Sequence, residues 1–131
     1  RVTIEGRKEV LSLAEVEVLS SGRNVARGGR AMQSSLFEGC VASRAIDGNT
    51  GGDFFAGEVT HTAHDRANPW WEVELPEPCD VEAVRLWNRT DACRERLAGA
   101  RVLALDGNRN VLWSRTIGDA PEEDVLVTRP R

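Results

Sequence analysis

Short runs of alternating apolar and polar residues, each closed by a turn signal, recur along the whole chain. Val2 and Ile4 alternate with polar neighbours, as do Trp71, Val73 and Leu75, and Val84 and Leu86. A period of two places successive side chains on opposite faces, which is the pattern of a half-buried strand. Gly6-Arg7-Lys8, Asn68-Pro69, Glu77-Pro78 and Asp106-Gly107-Asn108 separate such runs, and each favours reversal over continuation. Val102 to Leu105, Val111 to Trp113 and Val125 to Val127 extend the set, and no stretch carries a long helical period. The pattern predicts an all-β fold, an antiparallel β-sandwich or jelly roll of about eight strands. With 131 residues the chain fits one domain, residues 1–131, large enough to bury roughly two thirds of its unfolded surface.

One run breaks its own parity. In Leu11-Ser12-Leu13-Ala14-Glu15-Val16-Glu17-Val18 the apolar positions are odd at first and even afterwards. A strand can switch parity only by inserting a residue, so a bulge is expected near Ala14-Glu15, with Glu15 turned towards the protein. A helix is the competing reading. The alternating β-branched residues and the lack of a cap argue against it.

Charge narrows the function classes. The net charge of −4 is spread over interspersed signs with no basic stripe, which argues against a nucleic-acid partner. No apolar run approaches the roughly 18 residues of a membrane span, and no N-terminal run has the order of a signal peptide. Cys40, Cys79 and Cys93 are odd in number and lack zinc spacing, so stability should rest on the core and not on disulfides.

The stretch Trp87–Leu97 holds the densest recognition chemistry. Arg89 and Arg96 are seven positions apart, with Asp91 beside the first. Guanidinium forks donate only, and a neighbouring carboxylate can orient one of them. The pair suits a ligand with adjacent oxygens, such as a carboxylate, a phosphate or a sugar diol. The competing reading is an exposed salt-bridged loop. Asp47-Gly48-Asn49 forms a second cluster, a tight turn whose carbonyls can face one centre. Here the competing reading is an ordinary turn.

The segments LSLAEVEV, NVARGGRAMQSS, ASRAIDGNT, VTHT, NPWWEVEL and WNRTDACRERL together resemble the F-type lectin (fucolectin) family within the discoidin-like, coagulation-factor C-type domain superfamily. The family fingerprint is a histidine, a spacer, Arg-x-Asp, four residues, and Arg or Lys. Here His61 precedes Arg89-Thr90-Asp91, and Arg96 follows after four residues. His64 fits the spacing too; His61 is preferred because it lies in Val-Thr-His-Thr after Phe54-Phe55. LSLAEVEV normally ends such domains but stands first here, which implies a permuted or differently excised boundary.

The resemblance implies a non-catalytic carbohydrate-binding domain for L-fucose or fucosylated glycans. His61, Arg89 and Arg96 would hydrogen-bond the sugar hydroxyls, and Asp91 would orient Arg89, with Glu95 doing likewise for Arg96. Phe54 and Phe55, aided by Leu36 or Phe37, would shelve the fucose methyl. The family's adjacent cysteines are replaced by Ala92 and Cys93, so their disulfide platform is absent. The resemblance also implies a structural calcium ion, bound by Ala14, Glu15, Arg44, Asp47, Asn49 and Glu58, with three carboxylates in the set. Location would be extracellular or at the cell surface, with several copies or a multidomain parent providing avidity. The alternative is a discoidin-like adhesion module without a sugar site. No Ser-His-Asp order is present, and Glu72 and Glu74 look like solvated strand positions, not glycosidase carboxylates. Asn88-Arg89-Thr90 is formally a glycosylation sequon, read here as accidental.

Overall fold

The computed structural model describes residues 1–131 as two packed antiparallel sheets built from nine strands. These are β1 (Val2–Thr3), β2 (Leu13–Ser20), β3 (Arg23–Asn24), β4 (Arg30–Gln33), β5 (Trp70–Glu74), β6 (Ala83–Asn88), β7 (Arg101–Leu105), β8 (Val111–Thr116) and β9 (Asp124–Thr128). One sheet runs β4-β5-β1-β7-β8 and the other β3-β2-β6-β9. β3 and β4 lie between residues 20 and 39, a stretch rich in Ser, Gly and Arg that shows no strand period. Both are short edge strands, and Arg23-Asn24 and Arg30-Ala31-Met32-Gln33 carry too few apolar residues to show a period.

The expected parity break is a bulge. β2 pairs with β6 from Leu13↔Asn88 to Leu19↔Ala83, and its register shifts between Leu13 and Glu15. Val16 and Val18 therefore face the core opposite Leu86 and Val84, while Glu15, opposite Trp87, is covered by a loop and only 1% exposed. The core joins the inner faces of both sheets through Val2, Ile4, Leu13, Trp71, Leu86 and Val102. Leu86 is fully buried, and such a side chain contributes roughly 1.5–3 kcal/mol by leaving water. The indole of Trp71 donates to the carbonyl of Ala42 at 2.9 Å. That bond ties the 3₁₀ turn Ala42–Ile46 to the core.

Glu72 departs from its expected solvated position. It is 8% exposed, and its carboxylate accepts from Arg1 Nε at 2.9 Å and Arg109 Nη2 at 3.1 Å. Burial alone would raise its pKa, but the arginine hydrogen bonds outweigh that, and the group titrates below the usual carboxylate range. Glu74 is exposed, as the alternation implies. All three cysteines are free thiols, so no disulfide braces the sandwich.

Candidate functional site

β6 ends at Asn88, whose side chain donates to the carbonyls of Arg94 (3.1 Å) and Pro121 (2.9 Å). These bonds hold the loop that follows. They also leave Asn88 2% exposed, so the sequon offers no accessible amide for a glycan. Arg89 comes next and is 7% exposed. Its Nε and Nη2 donate to the two oxygens of Asp91, each at 2.9 Å, the bidentate geometry that a planar fork favours. Asp91 Oδ1 also accepts the backbone N–H of Phe54 at 3.0 Å. The Arg89 guanidinium lies 4.6 Å from the centre of the Phe54 ring. The hydrogen bonds from Arg89 pull the Asp91 carboxyl down to about 2. Asp91 in turn raises the Arg89 pKa. Only part of the fork is used, since a guanidinium carries five N–H donors.

His61 is 2% exposed. Its Nδ1 lies 2.7 Å from the carbonyl oxygen of Thr62. A carbonyl can only accept, so Nδ1 carries the proton and Nε2 presents a lone pair. Burial lowers the His61 pKa, and the nearby charges of His64, Arg96 and Arg89 lower it further against the Thr62 bond. The ring is therefore neutral at pH 7. It packs 4.5 Å from Phe37, 5.5 Å from Phe54 and 5.3 Å from His64. His64 itself is exposed and stands edge-on to Phe37.

Arg96 lies in the 3₁₀ turn Arg94–Leu97, which Cys93 begins in a left-handed conformation (φ 59°) and Leu97 anchors in the core. Its Nε is 3.9 Å from Glu9 Oε1, and its carbonyl accepts from Arg7 at 3.1 Å. Glu9, and not Glu95, is thus the carboxylate beside Arg96. It comes from far away in the chain, so no local spacing announced it.

The structure brings His61, Arg89, Asp91 and Phe54 together, and the Arg96 charge lies near enough to act on His61. Phe55 lies at the solvent side of the ring cluster, 5.2 Å from Phe54. It is 83% exposed, with its backbone N–H bound to Asp53 Oδ1 at 2.9 Å and its ring edge-on to Phe54. On the other side of Phe54 lies Phe37, the two rings 6.3 Å apart. Leu36, beside Phe37 in the chain, is 54% exposed.

A second cluster lies at the bulge. Glu15 Oε2 accepts the N–H of Gly48 at 2.7 Å, whereas Oε1 is buried with no partner. Burial, and then the charge of neighbouring Asp47 working against the Gly48 bond, push the Glu15 carboxyl up to about 8. Asp47 Oδ1 accepts from Asn49 N at 2.9 Å, and Asn49 Oδ1 from Gly51 N at 2.9 Å. These are two successive side-chain turns that curl the loop over Glu15. Glu58 does not complete a trio of carboxylates, and no three acidic groups converge. Its Oε1 accepts from Asp53 N at 3.2 Å, and its carboxylate occupies the space that a Cβ on Gly51 would need. The Arg44 side chain turns away to the carbonyl of Val59, and Ala14 is fully buried beside Glu15.

Residues 44–125 match the family model described as NedA-like, galactose-binding domain. Fucolectin-4 of Anguilla japonica is 45% identical over 85 residues, covering 61% of this chain and 46% of its own length. A fucose binding module of Streptococcus pneumoniae superposes with a TM-score of 0.76 at 36% identity, covering 84% of this chain and 78% of that one. The chain belongs to the F-type lectin family. The lectin domain of lectinolysin, solved in complex with Lewis B antigen, superposes with a TM-score of 0.74 at 33% identity, covering 86% of this chain and 81% of that one. This F-type lectin domain spans about half the length of the curated relatives it matches.

Proposed function

We propose that this F-type lectin domain binds L-fucose and fucosylated glycans through His61, Arg89 and Arg96, with Phe54 and Phe37 receiving the sugar methyl. The observation that carries the reading is the fixed pairing of donor and acceptor. Asp91 locks the Arg89 fork while leaving donors free, and neutral His61 offers Nε2 as a lone pair. Hydroxyls can donate and accept, so one ring hydroxyl can give to His61 while its neighbour receives from an arginine. A wrong epimer would strand a buried donor at a cost of about 1–3 kcal/mol. The two matched modules are named for fucose binding or solved with a fucosylated antigen, in line with this ligand class. Arg89 sits between the Asp91 carboxylate and the Phe54 face, so its position is set before the sugar arrives and little ordering entropy is lost on binding. A single open site binds monosaccharide at micromolar to millimolar Kd, about 4–8 kcal/mol, so several copies would supply avidity outside the cell.

Calcium fits the bulge cluster. The buried, partnerless Glu15 Oε1 beside Asp47 belongs to a pair of acids that a divalent cation would deprotonate and bridge. Glu15 and Asp47 together balance one divalent charge, and backbone carbonyls of Ala14, Arg44 and Asn49 supply the kind of oxygens that calcium accepts, with Glu58 bracing the loop from beside Gly51. When bound, the ion neutralises this pair and fixes loop 47–53, which carries Phe54.

Calorimetric titration with L-fucose, and with L-galactose, tests the reading. L-Galactose has the same ring hydroxyls and a hydroxymethyl in place of the methyl. The expected result is binding of fucose and at least tenfold weaker binding of L-galactose, since a polar group pressed on an apolar shelf loses hydrogen bonds. A folded domain that gives no heat with fucose or fucosylated glycans would leave the adhesion-module reading in its place.

A further inference from the structure

One crevice outside the proposed fucose site has a lining that suits a ligand. On the outer face of the β3-β2-β6-β9 sheet lies a crevice of about 410 Å³, lined by Thr50, Gly51, Trp87, Thr90, Arg94 and Glu123. Its size falls within the roughly 300–1,000 Å³ of small-molecule pockets. Trp87 stands on β6 between Glu15 of β2 and Asp124 of β9. Its indole N–H donates to Glu17 Oε1 at 2.6 Å, so the ring is held in place from outside the crevice. Thr50 and Gly51 belong to the loop that covers Glu15. Thr90 stitches that loop to β6, its N–H donating to Gly52 O at 2.9 Å and its hydroxyl to Gly51 O at 3.1 Å. Arg94 and Glu123 are exposed. Both grip Asn88 through their backbone carbonyls, which leaves the charged ends of their side chains available to a ligand.

We propose that this crevice is an accessory subsite for a second pyranose ring of a fucosylated glycan. The proposal rests on the fucose reading above. The lining selects the chemistry. A pyranose has one face of C–H groups, which packs on an indole ring, and an edge of hydroxyls that both donate and accept. Arg94 donates to that edge, Glu123 accepts from it, and the threonine hydroxyl of Thr50 does either. An anion would meet the Glu123 carboxylate, a cation would meet the Arg94 guanidinium, and an apolar ligand would desolvate both without pairing them. A neutral, hydroxyl-rich ring satisfies all of these groups.

Position links the crevice to the fucose site. Arg89, Thr90 and Asp91 are consecutive, and Arg89 and Asp91 pair beside Phe54 while Thr90 turns to Gly51. The two sites therefore flank one short ridge of backbone. A glycan anchored by its fucose presents its next rings at this ridge.

Titrations with methyl α-L-fucoside and with Lewis b tetrasaccharide, on the wild type and on Arg94→Ala, Glu123→Gln and Arg89→Ala, test the proposal. Arg94→Ala and Glu123→Gln should each weaken tetrasaccharide binding about fivefold to tenfold, the scale of one lost solvent-exposed hydrogen bond, and leave fucoside binding unchanged. In ¹⁵N spectra, the Trp87 indole N–H, assigned by its loss in Trp87→Phe, should shift with tetrasaccharide and not with fucoside. Equal affinities in Arg94→Ala, Glu123→Gln and wild type, together with an unmoved Trp87 signal, would overturn the subsite while leaving the fucose site intact. Loss of both ligands in Arg89→Ala alone is the mark of the primary site. A wild type that binds neither ligand overturns both readings.

Discussion

Asp91 and Glu15 are both acidic groups drawn into this end of the sandwich, and their surroundings act on them in opposite directions. Asp91 has a guanidinium on both oxygens and a backbone N–H besides, and its carboxyl falls to about 2. Glu15 has one backbone N–H, a neighbouring carboxylate and a buried oxygen with no partner, and its carboxyl rises to about 8. The first is a finished arrangement that fixes its arginine in place. The second leaves an oxygen unpaired, and the proposed cation would complete it. Burial by itself therefore says little about what a carboxylate does. What sits across from it decides whether it orients a partner or recruits an ion.

Removing the partner of Asp91 should have the largest effect. Arg89→Ala deletes the proposed sugar donor and leaves Asp91 without its cation, so fucose binding should fall by at least about 100-fold, as for charged hot-spot contacts. Arg89→Lys should not restore it, because an ammonium cannot reproduce the fork. Circular dichroism would verify that the variants fold, and calorimetry would read the affinity. Retained binding in a folded Arg89→Ala would break the comparison at once.

The unfinished cluster predicts a large effect of a different kind. Calcium at about 100 times its Kd should stabilise the domain by about 2.7 kcal/mol, or on the order of 10 °C in melting temperature for a chain of this size. Glu15→Gln should melt no lower than wild type in chelator, since a neutral amide replaces a poorly solvated acid, and should lose most of the calcium response. A variant that melts far lower in chelator would show that Glu15 is already satisfied.

Acid titration gives a smaller, graded effect. Because the Asp91 pKa is lowered on folding, its stabilisation is complete above about pH 4 and is lost as the pH falls towards 2. His61 acts at higher pH. Its folded pKa is also lowered, so the unfolded chain takes up a proton first, and stability declines as the pH drops below the ordinary histidine value of 6.5. Melting curves of Asp91→Asn and His61→Gln, compared with wild type from pH 7 to pH 2.5, should each lack the matching segment. The smallest effect is expected at Phe55. Phe55→Ala should change stability by no more than about 0.5 kcal/mol and fucose affinity by less than about twofold. Phe54→Ala, which removes the face under Arg89, should weaken both clearly.

Much of this could be read before any coordinates. The alternation at Trp71–Leu75 and Val84–Leu86 marks strands, and the parity change at Ala14-Glu15 marks the bulge, because a period of two leaves no other way to switch faces. Arg89 and Asp91 are two residues apart on an extended segment, so their pairing is local and visible in the spacing. β3 and β4 were not legible, since edge strands with few apolar residues show no period. Glu9 beside Arg96, Arg109 and Arg1 around Glu72, and Phe37 against His61 are contacts across long stretches of chain, which spacing does not report. Phe54 and Phe55 look equivalent in sequence, yet the turn buries one partly and exposes the other.

The sequence by itself determined the strand pattern, the bulge and the Arg-x-Asp pair, because each depends on residues within a few positions of one another. Only the tertiary structure decided which aromatic rings line the site, which carboxylate stands by Arg96 and which acid lacks a partner. Those outcomes depend on how loops from distant parts of the chain close over the sheet ends, and a buried charge is governed by the groups that close over it.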